Sequence, residues 1–162
     1  MNQQEANNTM AITWATELDT GINVIDQQHR RIVDYINALE VANQARDRDA
    51  VGRTLDDLVE YTMSHFAFEE SLQEEAGYAF CKPHKRVHEL FVRKVGEYVE
   101  RHRLGDEIGE ELGRLLSTWL LNHIRRDDAD YVGAVKATMI DIATDRREKK
   151  EEGGWLRRFF RR

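Results

Sequence analysis

Apolar residues recur along this chain at helical intervals. Ile25, His29, Ile32, Ile36 and Leu39 follow one another at spacings of four, three, four and three, which describes one face of a helix. Leu55, Leu58, Thr62, His65, Glu69 and Leu72 repeat the pattern, and Gly77 is placed to end that second helix. Pro83 is suited to open a third, since a first turn has no use for the N–H it lacks. Val87, Phe91, Val95 and Val99 carry its stripe. Arg103 to Asp106 forms the next turn, with Asp106 as expected N-cap of a fourth helix bearing Ile108, Leu112, Leu115, Leu116 and Trp119. Short connections place neighbours antiparallel, so the expectation is an all-α, up-down-up-down four-helix bundle.

Three segments extend beyond the four helices. Residues 1–20 read as an N-terminal arm lying on the bundle, anchored by Trp14 and Leu18. The bundle spans 21–131, and 132–162 form a helical extension ending in a basic tail. Tyr131, Val135, Met139 and Ile142 predict a helix over 129–144. In the tail, Gly153-Gly154 precedes Trp155, Leu156, Phe159 and Phe160, with Arg157, Arg158, Arg161 and Arg162 opposite. Such a short amphipathic piece is a candidate for weak contact with a membrane surface or an acidic protein.

Composition narrows the function classes. The 162 residues are 41% hydrophobic, enough for one packed core. A net charge of −6 argues against a general nucleic-acid binder. Residues 145–162 hold eight basic and four acidic side chains, +4, which leaves −10 on residues 1–144. No apolar run approaches the roughly 18–20 residues of a membrane span, and residues 1–13 lack a secretory pattern. The single cysteine, Cys81, excludes an internal disulfide and fits a cytoplasmic protein; the tail would permit a peripheral position on the membrane's inner face. A monomer is expected.

The histidines change the picture most. Five of six, His29, His65, His84, His88 and His123, fall at core-facing positions. A lone core histidine is ordinarily a hydrogen-bonded structural group, but five are not so easily explained. In an up-down-up-down bundle the start of helix one, the end of helix two, the start of helix three and the end of helix four share a level. All five, with Glu69, therefore converge at one end. His102 belongs to the other end, about 21 Å beyond His88 along its helix. His65 and Glu69, like His84 and His88, are i,i+4 pairs pointing from one face. Five imidazoles and a carboxylate are too many for one metal ion and suit a dinuclear site; imidazole accepts iron, copper, nickel or zinc.

Together these motifs resemble the hemerythrin family: Ile25-Asp26-Gln27-Gln28-His29, His65-Phe66-Ala67-Phe68-Glu69-Glu70, Pro83-His84 with His88, and Trp119-Leu120-Leu121-Asn122-His123 with Asp128 and Tyr131. The Trp14 arm and the Gly21-Ile22 lead-in look like its bacterial branch. The resemblance covers roughly residues 12–131. It implies one iron held by His84, His88 and His123 and a second held by His29 and His65. Glu69 and Asp128 would bridge them beside an oxo or hydroxo group. The first iron would then be full, and the second would keep one open position. The family's ligand there is dioxygen, bound reversibly. Around it the resemblance places Ile32, Phe66, Leu120 and Ile124, with Trp119 behind.

The bridging aspartate needs a special backbone. His123 to Asp128 is i,i+5, about 500° of rotation on an ideal helix, so the two would point apart. Asp127, at i+4, fits plain helical geometry better. The family pattern favours Asp128 and demands a π-like turn there, leaving Asp127 as a solvated surface acid. Rival functions are sensing or scavenging of dioxygen or nitric oxide, and a di-iron oxidase. Oxidases of ferritin-like type use paired Glu-x-x-His motifs, and no histidine here has a glutamate three residues before it. The reading is therefore a binding protein and not an enzyme.

Overall fold

A computed structural model describes residues 11–141 of the chain. It contains α1 (Asn23–Gln44), α2 (Arg48–Glu75), α3 (Cys81–Arg103) and α4 (Gly109–His123), with a 3-10 turn at Thr16–Leu18. A π-helical turn, Ile124–Asp128, follows α4, and the chain continues as helix through residues 129–141. No strand occurs among the described residues. The arm's first ten residues, Ile142 and the whole of the predicted tail helix lie outside them.

Neighbouring helices pack in cyclic order. α1 lies against α2 and α4, and α2 against α3. The α3–α4 side is closed by Phe91 stacked on Trp119 at 3.8 Å and by the Tyr98 hydroxyl donating to Glu111. Leu39, Leu55, Leu58, Val95, Leu112 and Leu116 fill the interior away from the histidines.

All three interhelix turns end their helices the same way. After α2, Gly77 adopts φ +62°, Gly77 N–H donates to Glu74 O, and Tyr78 N–H reaches back to Gln73 O. The same pair of bonds closes α3 around Gly105 and α1 around Arg46. These left-handed caps satisfy the last carbonyls and reverse the chain within a few residues. At Arg46, φ +53°, the position is taken by a side chain that glycine would spare from strain.

Two helix starts differ from the sequence expectation. α3 begins at Cys81, two residues before Pro83; proline is tolerated anywhere in a first turn, where N–H groups have no intrahelical partner. Cys81 is thus the first residue of the helix. The N-cap of α4 is Ile108, not Asp106. Asp106 is already committed as the residue closing α3, and its carboxylate accepts from Arg101 Nε at 3.1 Å. Met139, expected on the buried stripe of the last helix, is exposed; Tyr131 and Val135 are buried against Ile22 and Ile25.

The arm is fastened at two points. Asn37 exchanges two hydrogen bonds with the Ile12 backbone, at 2.8 and 2.9 Å. Asp26 accepts from Thr20 N–H, Thr20 Oγ1 and Gly21 N–H at 2.7, 2.7 and 3.0 Å. Trp14 is thereby laid beside His29, with ring centres 6.4 Å apart.

Candidate metal centre

The helix order brings His29, His65, Glu69, His84, His88, His123 and Asp128 to one level, all buried. Glu69, His84, His88 and His123 form a compact group whose ligand atoms lie within 4.8 Å of one another. His29 and His65 sit beside it as an edge-to-face pair with ring centres 4.8 Å apart.

Asp128 stands between the two groups. Its Oδ1 lies 3.0 Å from His123 Nε2 and 3.5 Å from His84 Nε2, while Oδ2 lies 3.3 Å from His29 Nε2. The π turn is what aims it inward: one extra residue in the turn rotates position 128 onto the face of His123. Glu69 stands opposite, with Oε1 3.6 Å from His84 Nε2 and Oε2 3.3 and 3.8 Å from His88 and His65 Nε2.

Three imidazoles are oriented from behind. His65 Nδ1 meets Gln28 Oε1 at 2.7 Å, His88 Nδ1 meets Glu70 Oε1 at 2.9 Å, and His123 Nδ1 meets Asp127 Oδ2 at 2.9 Å. An Nδ1–H donated outward leaves the Nε2 lone pair facing the site. Asp127, expected as a solvated acid, is therefore a partner of His123; at 41% side-chain exposure it reaches the ring along the same helix face at i+4. Gln28 and Glu70 went unforeseen, because each adjoins a site residue in sequence yet serves a histidine on the next helix.

Charge and burial pull these groups in opposite directions. Burial pushes His65 down to about 3, with Glu69 only partly restoring it. Burial also acts to lower His123, but the hydrogen bond to Asp127 and the adjacent Asp128 and Glu69 carboxylates overcome it and hold the ring up to about 9. Burial would raise Glu69; the adjoining His84 and His88 outweigh it and keep this carboxyl well below its ordinary range.

The donor set fits cations. His88 Nε2 and His123 Nε2 face each other at 3.0 Å, although both rings direct Nδ1 outward. Lone pairs so opposed repel unless a proton or a metal ion lies between them; neighbouring ligands about 2.1 Å from one ion would be about 3 Å apart. Both nitrogens of His29, both oxygens of Glu69 and Asp128, and His84 Nε2 are buried without a hydrogen bond. Buried polar atoms are otherwise nearly always paired, so this convergence marks a site for positive charge.

Aromatic rings close the site on one side. Phe66 stacks on His88 at 3.8 Å and Trp119 on His123 at 4.3 Å. Ile32, Leu120 and Ile124 are buried in the same core, as is Phe66, and Trp119 is half-buried.

Comparison with known proteins agrees with this geometry. Residues 20–135 match the model of the hemerythrin HHE cation-binding domain. A bacteriohemerythrin of Pseudomonas paraeruginosa is 51% identical over 151 residues, 93% of this chain and 96% of that one. A bacteriohemerythrin of Methylococcus capsulatus is 32% identical over 122 residues, 74% of this chain and 93% of its own. The crystal structure of a wild-type hemerythrin superposes with a TM-score of 0.73 at 30% identity, covering 76% of this chain and 97% of that one.

Proposed function

The chain belongs to the hemerythrin family, and from that premise we propose that it binds dioxygen reversibly at a non-haem di-iron centre. The observation that carries the reading is Asp128, whose two oxygens face different histidine groups, as a carboxylate shared by two ions must. In this reading His84, His88 and His123 would hold one iron, His29 and His65 the other, and Glu69 and Asp128 would be shared between them. A pair of irons bound there, with an oxo or hydroxo group, would supply the two electrons that reversible dioxygen binding needs.

The chain's own residues do the rest. With three histidines on one side and two on the other, the His29–His65 side would be the one with room for a small ligand. Gln28, Glu70 and Asp127 fix the imidazole tautomers. Ile32, Phe66, Leu120, Ile124 and Trp119 keep the position dry, which slows loss of the bound ligand to water. The site has five neutral ligands against two carboxylates, a set that stabilises oxidised iron less than carboxylate-rich sites do. That favours binding over turnover.

Among the described residues, no helix is long and apolar enough to cross a membrane. The chain is proposed to act as a cytoplasmic monomer, with residues 153–162 making a weak, reversible contact with a membrane surface or an acidic protein.

The test is metal analysis with optical spectroscopy on the reduced protein. Two irons per chain are expected, with a visible charge-transfer band that appears in oxygen and disappears under vacuum. Irreversible oxidation at each exposure would replace this reading with the oxidase.

A further inference from the structure

One helical turn outward from Glu69, the end of the bundle is closed by a layer that is not wholly apolar. Gln73 lies four residues beyond Glu69 on the same face of α2 and is 0% exposed, yet neither Oε1 nor Nε2 has a hydrogen bond. Tyr131, three residues beyond Asp128, is equally buried and its hydroxyl is equally unpartnered. Ile22, Ile25 and Val135 surround this tyrosine, and its ring meets His84 edge-on at 5.6 Å.

The hydroxyl faces the Glu69 and Asp128 carboxylates, whose charge adds to burial in keeping it protonated. Asp26, the other buried acid near it, is committed to Thr20 and Gly21. A buried polar group left without a partner is destabilising, and a methionine would fill the volume of Gln73 without that penalty. The carboxamide therefore needs a partner; Glu69 lies one turn back on the same helix face, and the Tyr131 hydroxyl faces that carboxylate.

We propose that Gln73 and Tyr131 hold one water molecule against the Glu69 carboxylate, which makes Gln73 a positioning residue for that carboxylate. A single water can serve all three groups. It donates to Glu69 and to Gln73 Oε1, and accepts from the Gln73 amide and the Tyr131 hydroxyl, four partners within the range internal waters make. A donor on an outer lone pair draws electron density from Glu69 and restrains its rotation, as outer partners do for metal-bound carboxylates. The effect on iron rests on the di-iron reading above; the water site itself does not.

Two measurements separate those layers. In the iron-free protein, NMR should show a long-lived water cross-relaxing with the Gln73 side-chain amide, and Tyr131→Phe should abolish it. In the iron-loaded protein, Gln73→Met and Tyr131→Phe should each shift the diferric visible spectrum and speed loss of the oxygenated form by about tenfold. The double variant should be no worse than the worse single. A wild-type amide with no bound water, a Gln73→Met protein with unchanged spectrum and decay, or additive effects in the double variant would each overturn the proposal. Failure of the wild type to take up two irons would instead remove the oxygen-binding reading, while the NMR result still decides the water site.

Discussion

Where α1 and α3 begin, the bundle interior holds five imidazoles and two carboxylates; where α2 and α4 begin, it holds Leu39, Leu55, Val95 and Leu112. Both halves are equally buried, but their atoms stand differently. The apolar half has its turns closed by left-handed caps, and its buried Tyr98 hydroxyl is satisfied by Glu111. The histidine half leaves buried nitrogens and oxygens without partners. The apolar half is thus an ordinary packed core, and the histidine half gathers polar atoms that a bound cation would satisfy. That division predicts that changes in one half register as folding energy and changes in the other as metal binding.

The largest effect should come from the bridges. Glu69→Ala and Asp128→Ala should each reduce two irons per chain to one or none, with Glu69→Ala the more severe, as metal analysis would show. Removing iron with a chelator should lower the melting temperature of the wild type and leave that of Asp128→Ala nearly unchanged, because only the form that binds metal gains from it.

In the opposite half, Leu112→Ala should cost about 2–5 kcal/mol in denaturant unfolding, the usual range for emptying a fully buried leucine site. The folded fraction should still hold two irons. Loss of iron in parallel with stability would mean that the halves are not separable.

Asp127→Ala sharpens the contrast within two adjacent residues. Without its partner, His123 loses its fixed tautomer, and iron affinity should fall about tenfold while saturation stays at two. Iron competition titrations check this. An effect equal to that of Asp128→Ala would shift the bridge to i+4.

Arg46→Gly should stabilise the protein by about 1 kcal/mol by relieving a left-handed backbone at the far end of the bundle, with no change in iron content. The smallest effect belongs to the tail. A chain ending at Glu152 should match the full chain in iron content and unfolding, and differ only in salt-sensitive co-sedimentation with anionic vesicles. Equal sedimentation would remove the tail's docking role.

The histidine pattern made much of this legible in sequence. Core-facing spacing on four helices, with alternating direction, is enough to put His29, His65, His84, His88 and His123 on one level, because helical periodicity and short turns leave little freedom. The need for an irregular turn before Asp128 was legible too, since 500° of ideal helix cannot aim both residues inward, and the chain is π-helical over 124–128. Helix ends were less so. Asp106 carries an N-cap side chain, but the closing of α3 and the pull of Arg101 claimed it first.

What sequence alone determined, then, is which residues face inward and at what height, properties that each helix settles locally. Tertiary structure decided who partners whom across helices: Gln28 with His65, Glu70 with His88, and Asp128 with its two oxygens divided between two groups. Such pairings depend on the rotation and separation of packed helices, to a few tenths of an ångström. Periodicity carries no record of either, because the same stripe of apolar residues is compatible with many rotations until the whole core closes around one of them.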